Sequence, residues 1–155
     1  MKKILIIDDD VAVTNYFKVF LMQTGCFDAT VINDSREASP LLKDTAFDVL
    51  LLDMDMPNVS GMDILRSMRA RGDTTPVLVL TGVSDVDLAV RAMKLGAFDY
   101  LTKPVDDQNL LQVLGNAIET RVLHETIDRL PSDLTRQDLV HEAAFTYLPT
   151  REDGM

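Results

Sequence analysis

Short apolar runs, several of them uninterrupted, alternate with amphipathic stretches along most of this chain, and that alternation constrains the fold more than any other feature. The runs cover residues 4–7, 29–32, 49–52, 77–80 and 100–101. A strand with one wet face alternates apolar and polar side chains, whereas a continuous apolar run is expected where both sheet faces are covered. The segments between them have helical spacing. Val13, Phe17, Phe20 and Leu21 lie three to four residues apart, and Gly25 can supply a left-handed stop. Asp34 and Glu37 form a potential capping box for a second helix, which Pro40 is placed to distort. A third helix covers residues 61–71. In a fourth, Ser84 serves as the cap, Ala89, Val90 and Met93 give the apolar face, and Gly96 ends the helix. Strand and helix thus alternate five times, which predicts an α/β fold: a doubly wound, five-stranded parallel sheet with right-handed crossovers and helices on both faces. Ligands of such folds sit beyond the carboxyl ends of the strands.

The fifth helix starts near Asp106 and meets no stop signal before Leu130-Pro131. At roughly 25 residues this extended C-terminal helix is too long to pack entirely on one small sheet. The 155 residues are therefore expected to divide into a domain over residues 1–120 and, over 121–155, a helical extension with an acidic, partly disordered tail. Leu134, Leu139, Val140 and residues 143–145 suit one more short helix, and residues 151–155 look disordered.

Charge narrows the range of functions. The net charge is −10, and the longest basic cluster, Arg66, Arg69 and Arg71, has the spacing of a solvated helix face, so no nucleic-acid binding is expected from this segment. Residues 107–155 carry four basic and nine acidic side chains, which is too short and too acidic a stretch for a helix-turn-helix output domain. The sequence also lacks a glycine-rich phosphate loop, so no ATPase is expected. The single cysteine, Cys26, rules out an intramolecular disulfide and reads as a half-buried side chain at a helix end. The apolar run at residues 4–7 is too short for a signal peptide and nothing approaches membrane-spanning length, so a cytoplasmic setting without membrane contact is expected.

The most unusual residues fall at strand ends. The first strand runs into Asp8-Asp9-Asp10, three carboxylates that repel one another unless something neutralises them. Asp10 alone is well explained as a helix cap. The third strand ends in Leu50-Leu51-Leu52-Asp53, followed by Met54-Asp55-Met56-Pro57. If the first and third strands are neighbours, Asp8, Asp9 and Asp53 converge. Oxygen donors without histidine or thiolate suit a hard divalent cation, magnesium (Mg2+) before calcium. The fourth strand ends in Leu80-Thr81-Gly82 and the fifth in Thr102-Lys103-Pro104, adding a hydroxyl and a mobile positive charge suited to a phosphoryl oxygen.

In these motifs, Ile6-Ile7-Asp8-Asp9-Asp10, Leu52-Asp53-Met54-Asp55-Met56-Pro57, Leu80-Thr81-Gly82 and Tyr100-Leu101-Thr102-Lys103-Pro104, the chain resembles the receiver domains of bacterial two-component response regulators. The spacing fits as well: 44 residues from Asp9 to Asp53, 28 on to Thr81 and 22 on to Lys103. The resemblance implies a flavodoxin-like sheet in the order 2-1-3-4-5. It implies that Asp53 is the phosphoacceptor, with Mg2+ held by Asp9, Asp53 and the backbone carbonyl of Asp55, and by Asp8 largely through water. Thr81 and Lys103 would bind phosphoryl oxygens, and Thr81 and Tyr100 would form the switch that alters the surface of the fourth helix and fifth strand. The Lys103–Pro104 peptide would be cis. The implied partner is a sensor histidine kinase or phosphotransfer protein.

On this reading the domain signals and catalyses only its own phosphoryl transfer and dephosphorylation, and Val83, which cannot hydrogen-bond an attacking water, predicts modest dephosphorylation. Leu114, Ile118 and Val122 on one face, and Leu123, Ile127, Leu130 and Leu134 on another, admit a homodimer through the extended helix or a fold-back onto the same domain. An enzymatic alternative exists, because Asp53-Met54-Asp55 also matches the nucleophile motif of haloacid-dehalogenase-like phosphatases. That motif is expected on a first strand with the additional acids downstream, and here the acid pair comes first. The other alternative is an interaction module whose acids are merely solvated.

Overall fold

A computed structural model describes residues 1–128. Its strands are β1 (Lys2–Ile7), β2 (Phe27–Ile32), β3 (Val49–Asp53), β4 (Val77–Thr81) and β5 (Asp99–Thr102). The helices are α1 (Val11–Gln23), α2 (Ala38–Asp44), α3 (Gly61–Ala70), α4 (Val86–Lys94) and α5 (Asp107–Asp128). All neighbouring strands pair in parallel, in the order β2-β1-β3-β4-β5. A compact unit spans Met1–Ile118 and a second begins at Glu119. The short helix and tail expected beyond residue 128 lie outside the described residues, as do Leu130 and Leu134.

The continuous apolar strands are explained by two separate cores. Leu5, Ile7, Leu50, Leu52, Val77 and Val79 face Leu42 of α2, Leu65 and Met68 of α3 and Ala92 of α4. Their sequence neighbours Ile4, Ile6, Leu51, Leu78 and Leu80 face Phe17 and Leu21 of α1 and Leu110 and Leu114 of α5. Side chains alternate across a strand, so the body of a strand buried on both sides is apolar throughout; β3 and β4 are buried at every residue and polar only at the last, Asp53 and Thr81. Burying one such Leu or Ile contributes about 1.5–3 kcal/mol. Leu114 belongs to this core, so it is not available for an intermolecular seam.

Several boundaries differ from expectation for local reasons. α4 is capped at Asp85, not Ser84, because the Asp85 N–H closes a turn onto the Gly82 carbonyl (3.1 Å) that encloses Ser84. Asp85 makes no side-chain cap bond. Asp34 accepts from the Arg36 N–H and opens a 3-10 turn, Ser35–Glu37, rather than a capping box. Pro40 then falls in the first turn of α2, where a missing N–H removes no helical hydrogen bond. β5 is longer than the apolar pair that announced it. Cys26 is exposed, because the turn at Gly25 (φ 76°) carries the chain away from α1 before β2 begins.

At the amino-terminal rim of the sheet, Arg69 closes α3 onto its neighbours. Its guanidinium donates to the carbonyls of Asp73 (2.7 Å), Thr75 (3.0 Å) and Gly96 (2.9 Å), the last just beyond α4. Arg69, the middle member of the expected solvated face, is thus a structural clamp.

Candidate functional site

Register sets the site. Ile7 pairs with Leu52, so Asp8 and Asp53 leave adjacent strands side by side. Asp53 in turn pairs with Leu80, so Thr81 emerges one residue further on, and Thr81 pairs with Thr102, the residue before Lys103. Strands one spacing apart, about 4.8 Å, thereby deliver the predicted groups to one rim.

Each of the three consecutive aspartates has a different environment. Asp8 is fully buried; one oxygen accepts the Asp10 N–H (3.0 Å) and the other the Lys103 ammonium (3.0 Å). Asp9 is exposed. Asp10 caps α1, accepting from the N–H groups of Ala12 (3.0 Å) and Val13 (3.4 Å). Asp8, Asp9 and Asp53 each offer an oxygen within 4.8 Å of the other two. This all-oxygen, carboxylate-rich set fits a hard divalent cation.

Asp53 is 3% exposed and lies 3.3 Å from the Lys103 Nζ, and it accepts the Asp55 N–H at 3.3 Å. Burial, and then the charge of Asp8, push its carboxyl up to about 6, against the opposing pull of Lys103 and the Asp55 N–H. Burial works against the Lys103 charge, but its hydrogen bond to Asp8 and the carboxylate charges more than offset this and raise its pKa. The ammonium is therefore charged at neutral pH and bridges two of the three acids. Three carboxylates against one ammonium leave the pocket short of positive charge.

Thr81 is buried at the tip of β4, and the Lys103 N–H donates to its carbonyl at 2.8 Å. Asp55 is exposed in the loop after β3. The Lys103–Pro104 peptide is cis. Tyr100 faces outward, 47% exposed, beside a groove of about 450 Å3 that runs from Thr81 between α4 and β5, walled by Val86, Val90 and Met93. The loop from β3 to α3 is tightly seated at its far end, because a Cβ on Gly61 would overlap the Asp53 carbonyl oxygen.

Two residues of this rim were not anticipated. Asn33 donates from one amide nitrogen to the Asp8 carbonyl (2.9 Å) and to Thr14 Oγ1 (2.9 Å). Ser35 holds Pro57 and Val59. Polar residues after an apolar run read only as a turn, and nothing local in the sequence distinguishes these two.

A parallel doubly wound sheet with an acid-lined, lysine-bridged pocket at its carboxyl rim describes the receiver domain of a two-component response regulator. The chain belongs to the response regulator receiver domain family, which it matches over residues 4–115. It is 37% identical over 115 residues to the transcriptional regulatory protein FixJ of Bradyrhizobium diazoefficiens, covering 74% of this chain and 56% of that one. To the response regulator protein PilR of Pseudomonas aeruginosa it is 35% identical over 120 residues, covering 77% and 27%. The chain thus spans about half or less of the length of these curated relatives. Among solved structures, a receiver domain protein from Clostridium thermocellum superposes with a TM-score of 0.74 at 38% identity, covering 79% of this chain and 98% of that one. The crystal structure titled FixJ-N gives 0.70 at 29% identity, with 77% and 94% covered.

Proposed function

We propose that Asp53 accepts a phosphoryl group from a phosphohistidine on a sensor kinase or phosphotransfer protein, in the cytoplasm. The observation that carries this reading is the position of Asp53, buried at the end of β3 yet bridged by Lys103 and grouped with Asp8 and Asp9. A carboxylate oxygen of Asp53 attacks phosphorus in line, the P–N bond breaks, and the imidazole leaves with the bonding electrons and takes up a proton, leaving an acyl phosphate. Lys103 moves its ammonium from Asp53 to a phosphoryl oxygen, and the Thr81 hydroxyl donates to another. Asp9, Asp53 and the Asp55 carbonyl would hold magnesium, with Asp8 acting through water; when bound, the ion neutralises charge on the transferring group. Displacement of Thr81 toward the phosphate makes room for Tyr100 to turn inward along the groove between α4 and β5, altering that surface.

The receiver is assigned to residues 1–120 and the extension to residues 121–155, and the extended α5 is compatible with a homodimer. Incubation with acetyl phosphate or phosphoramidate tests the central reading. Wild type should label only with divalent cation present, and Asp53→Asn should not label. Equal labelling of the two proteins would reject Asp53 as acceptor, and repeated turnover of small phosphomonoesters would favour a phosphatase.

A further inference from the structure

The connection from β2 to α2 supplies no ligand to the acidic pocket, yet it bonds to both loops that do. Asn33, the first residue after β2, donates to the backbone carbonyl of Asp8 (2.9 Å) and to Thr14 Oγ1 (2.9 Å), tying the β1–α1 turn to the first turns of α1. Both Asp8 and Thr14 are fully buried, so these contacts are shielded from competing water.

Two residues later, Ser35 is 4% exposed and its hydroxyl makes two bonds to the β3–α3 loop. It donates to the Pro57 carbonyl (2.8 Å) and accepts the Val59 N–H (3.1 Å). Between these contacts lies Asn58, in the left-handed region at φ 70°, the one such non-glycine residue among the described residues. Left-handed backbone is disfavoured for most residues with a side chain, and asparagine is among the few that adopt it. The Ser35 hydroxyl therefore clasps the loop on both sides of its left-handed residue. The clasp lies two residues beyond Asp55, whose carbonyl is the expected third ligand. Ser35 is itself fixed in a 3-10 turn by the Asp34 carboxylate, which accepts the Arg36 N–H (3.0 Å).

We infer that Asn33 and Ser35 form a brace that sets the spacing of the two ligand-bearing loops and thereby the affinity of the pocket for a divalent cation. The inference rests on the reading of Asp9, Asp53 and the Asp55 carbonyl as ligands. Both are positioning residues, since neither touches the cation or the phosphoryl group. A small cation that demands near-ideal octahedral geometry is sensitive to displacement of its ligands, and loss of groups that orient ligands typically weakens metal binding 10–100-fold.

Titration calorimetry with magnesium chloride on the intact, unphosphorylated chain provides the test. Asn33→Ala and Ser35→Ala should each bind about tenfold more weakly than wild type, and the double variant more weakly still. Asp9→Asn should show no binding, and Ser39→Ala, on α2 outside the brace, should match wild type. Should either alanine variant fail to fold, Asn33→Leu and Ser35→Cys keep the number and branching of side-chain heavy atoms, remove or weaken the same hydrogen bonds, and carry the same expectation. Folded brace variants that bind within twofold of wild type would overturn the brace alone. A wild type that binds no magnesium would overturn the ligand reading as well.

Discussion

Replacing Asp53 by asparagine should make the metal-free domain more stable at neutral pH, although it removes the proposed phosphoacceptor. Asp53 ionises at about 6 in the folded protein instead of the ordinary 3.8, first because it is buried and second because Asp8 is charged. A carboxyl whose folded pKa is raised opposes folding when ionised. The penalty is fully present above pH 6, shrinks as the pH falls through 6, and is gone below the unfolded value near 3.8. A rise of roughly two units corresponds to about 3 kcal/mol at neutral pH, an upper figure for the gain in Asp53→Asn. The variant keeps one cation pair intact, since Lys103 still reaches Asp8 at 3.0 Å. Urea unfolding followed by circular dichroism in EDTA should therefore show the variant ahead at about pH 7.5, with the gap closing toward about pH 4. Millimolar magnesium should narrow or reverse the gap, because a ligand that binds only the folded wild type stabilises it by mass action. A variant less stable than wild type in EDTA at neutral pH, or a gap that ignores pH, would refute the electrostatic account.

Other perturbations follow from the same geometry. Lys103→Ala should slow phosphorylation by acetyl phosphate more than tenfold while tightening magnesium binding, since a competing positive charge leaves the pocket; calorimetry and labelling rates check the two halves separately. Gly61→Ala should cost about 1–3 kcal/mol in urea unfolding, because its methyl group would overlap the Asp53 carbonyl. Val83, 73% exposed just beyond Thr81, offers no hydrogen bond to water; Val83→Gln should shorten the lifetime of the acyl phosphate, measured as loss of label after donor removal.

The sheet was legible because its central strands β3 and β4 are buried on both faces, leaving apolar runs such as residues 49–52 with no polar interruption, whereas the edge strands β2 and β5 expose part of their residues. The acids were legible for the complementary reason: Asp8 and Asp53 follow those runs directly, where a carboxylate serves no packing purpose. Asn33 and Ser35 were illegible because their role lies in partners 25 and 22 residues away, Asp8 and Pro57, and polar residues after a strand are ordinary. Arg69 shows the same limit. Its helical spacing with Arg66 fits a solvated face, whereas long-range contact with the Gly96 carbonyl draws it inward. The start of α4 was misplaced by one residue because Ser84 and Asp85 are both good caps locally, and the turn closed at the Gly82 carbonyl decides between them.

The unequal fastening of the two ends of α4 has a mechanical consequence. At its trailing end the chain is riveted through the Gly96 carbonyl to the Arg69 guanidinium, whereas at its leading end Asp85 contributes no side-chain bond to the helix. A rod pinned at one end swings when pushed at the other. A shift of less than an ångström at Thr81 would therefore reach the outer surface as a change of tilt, greatest at Val86 and least at Lys94.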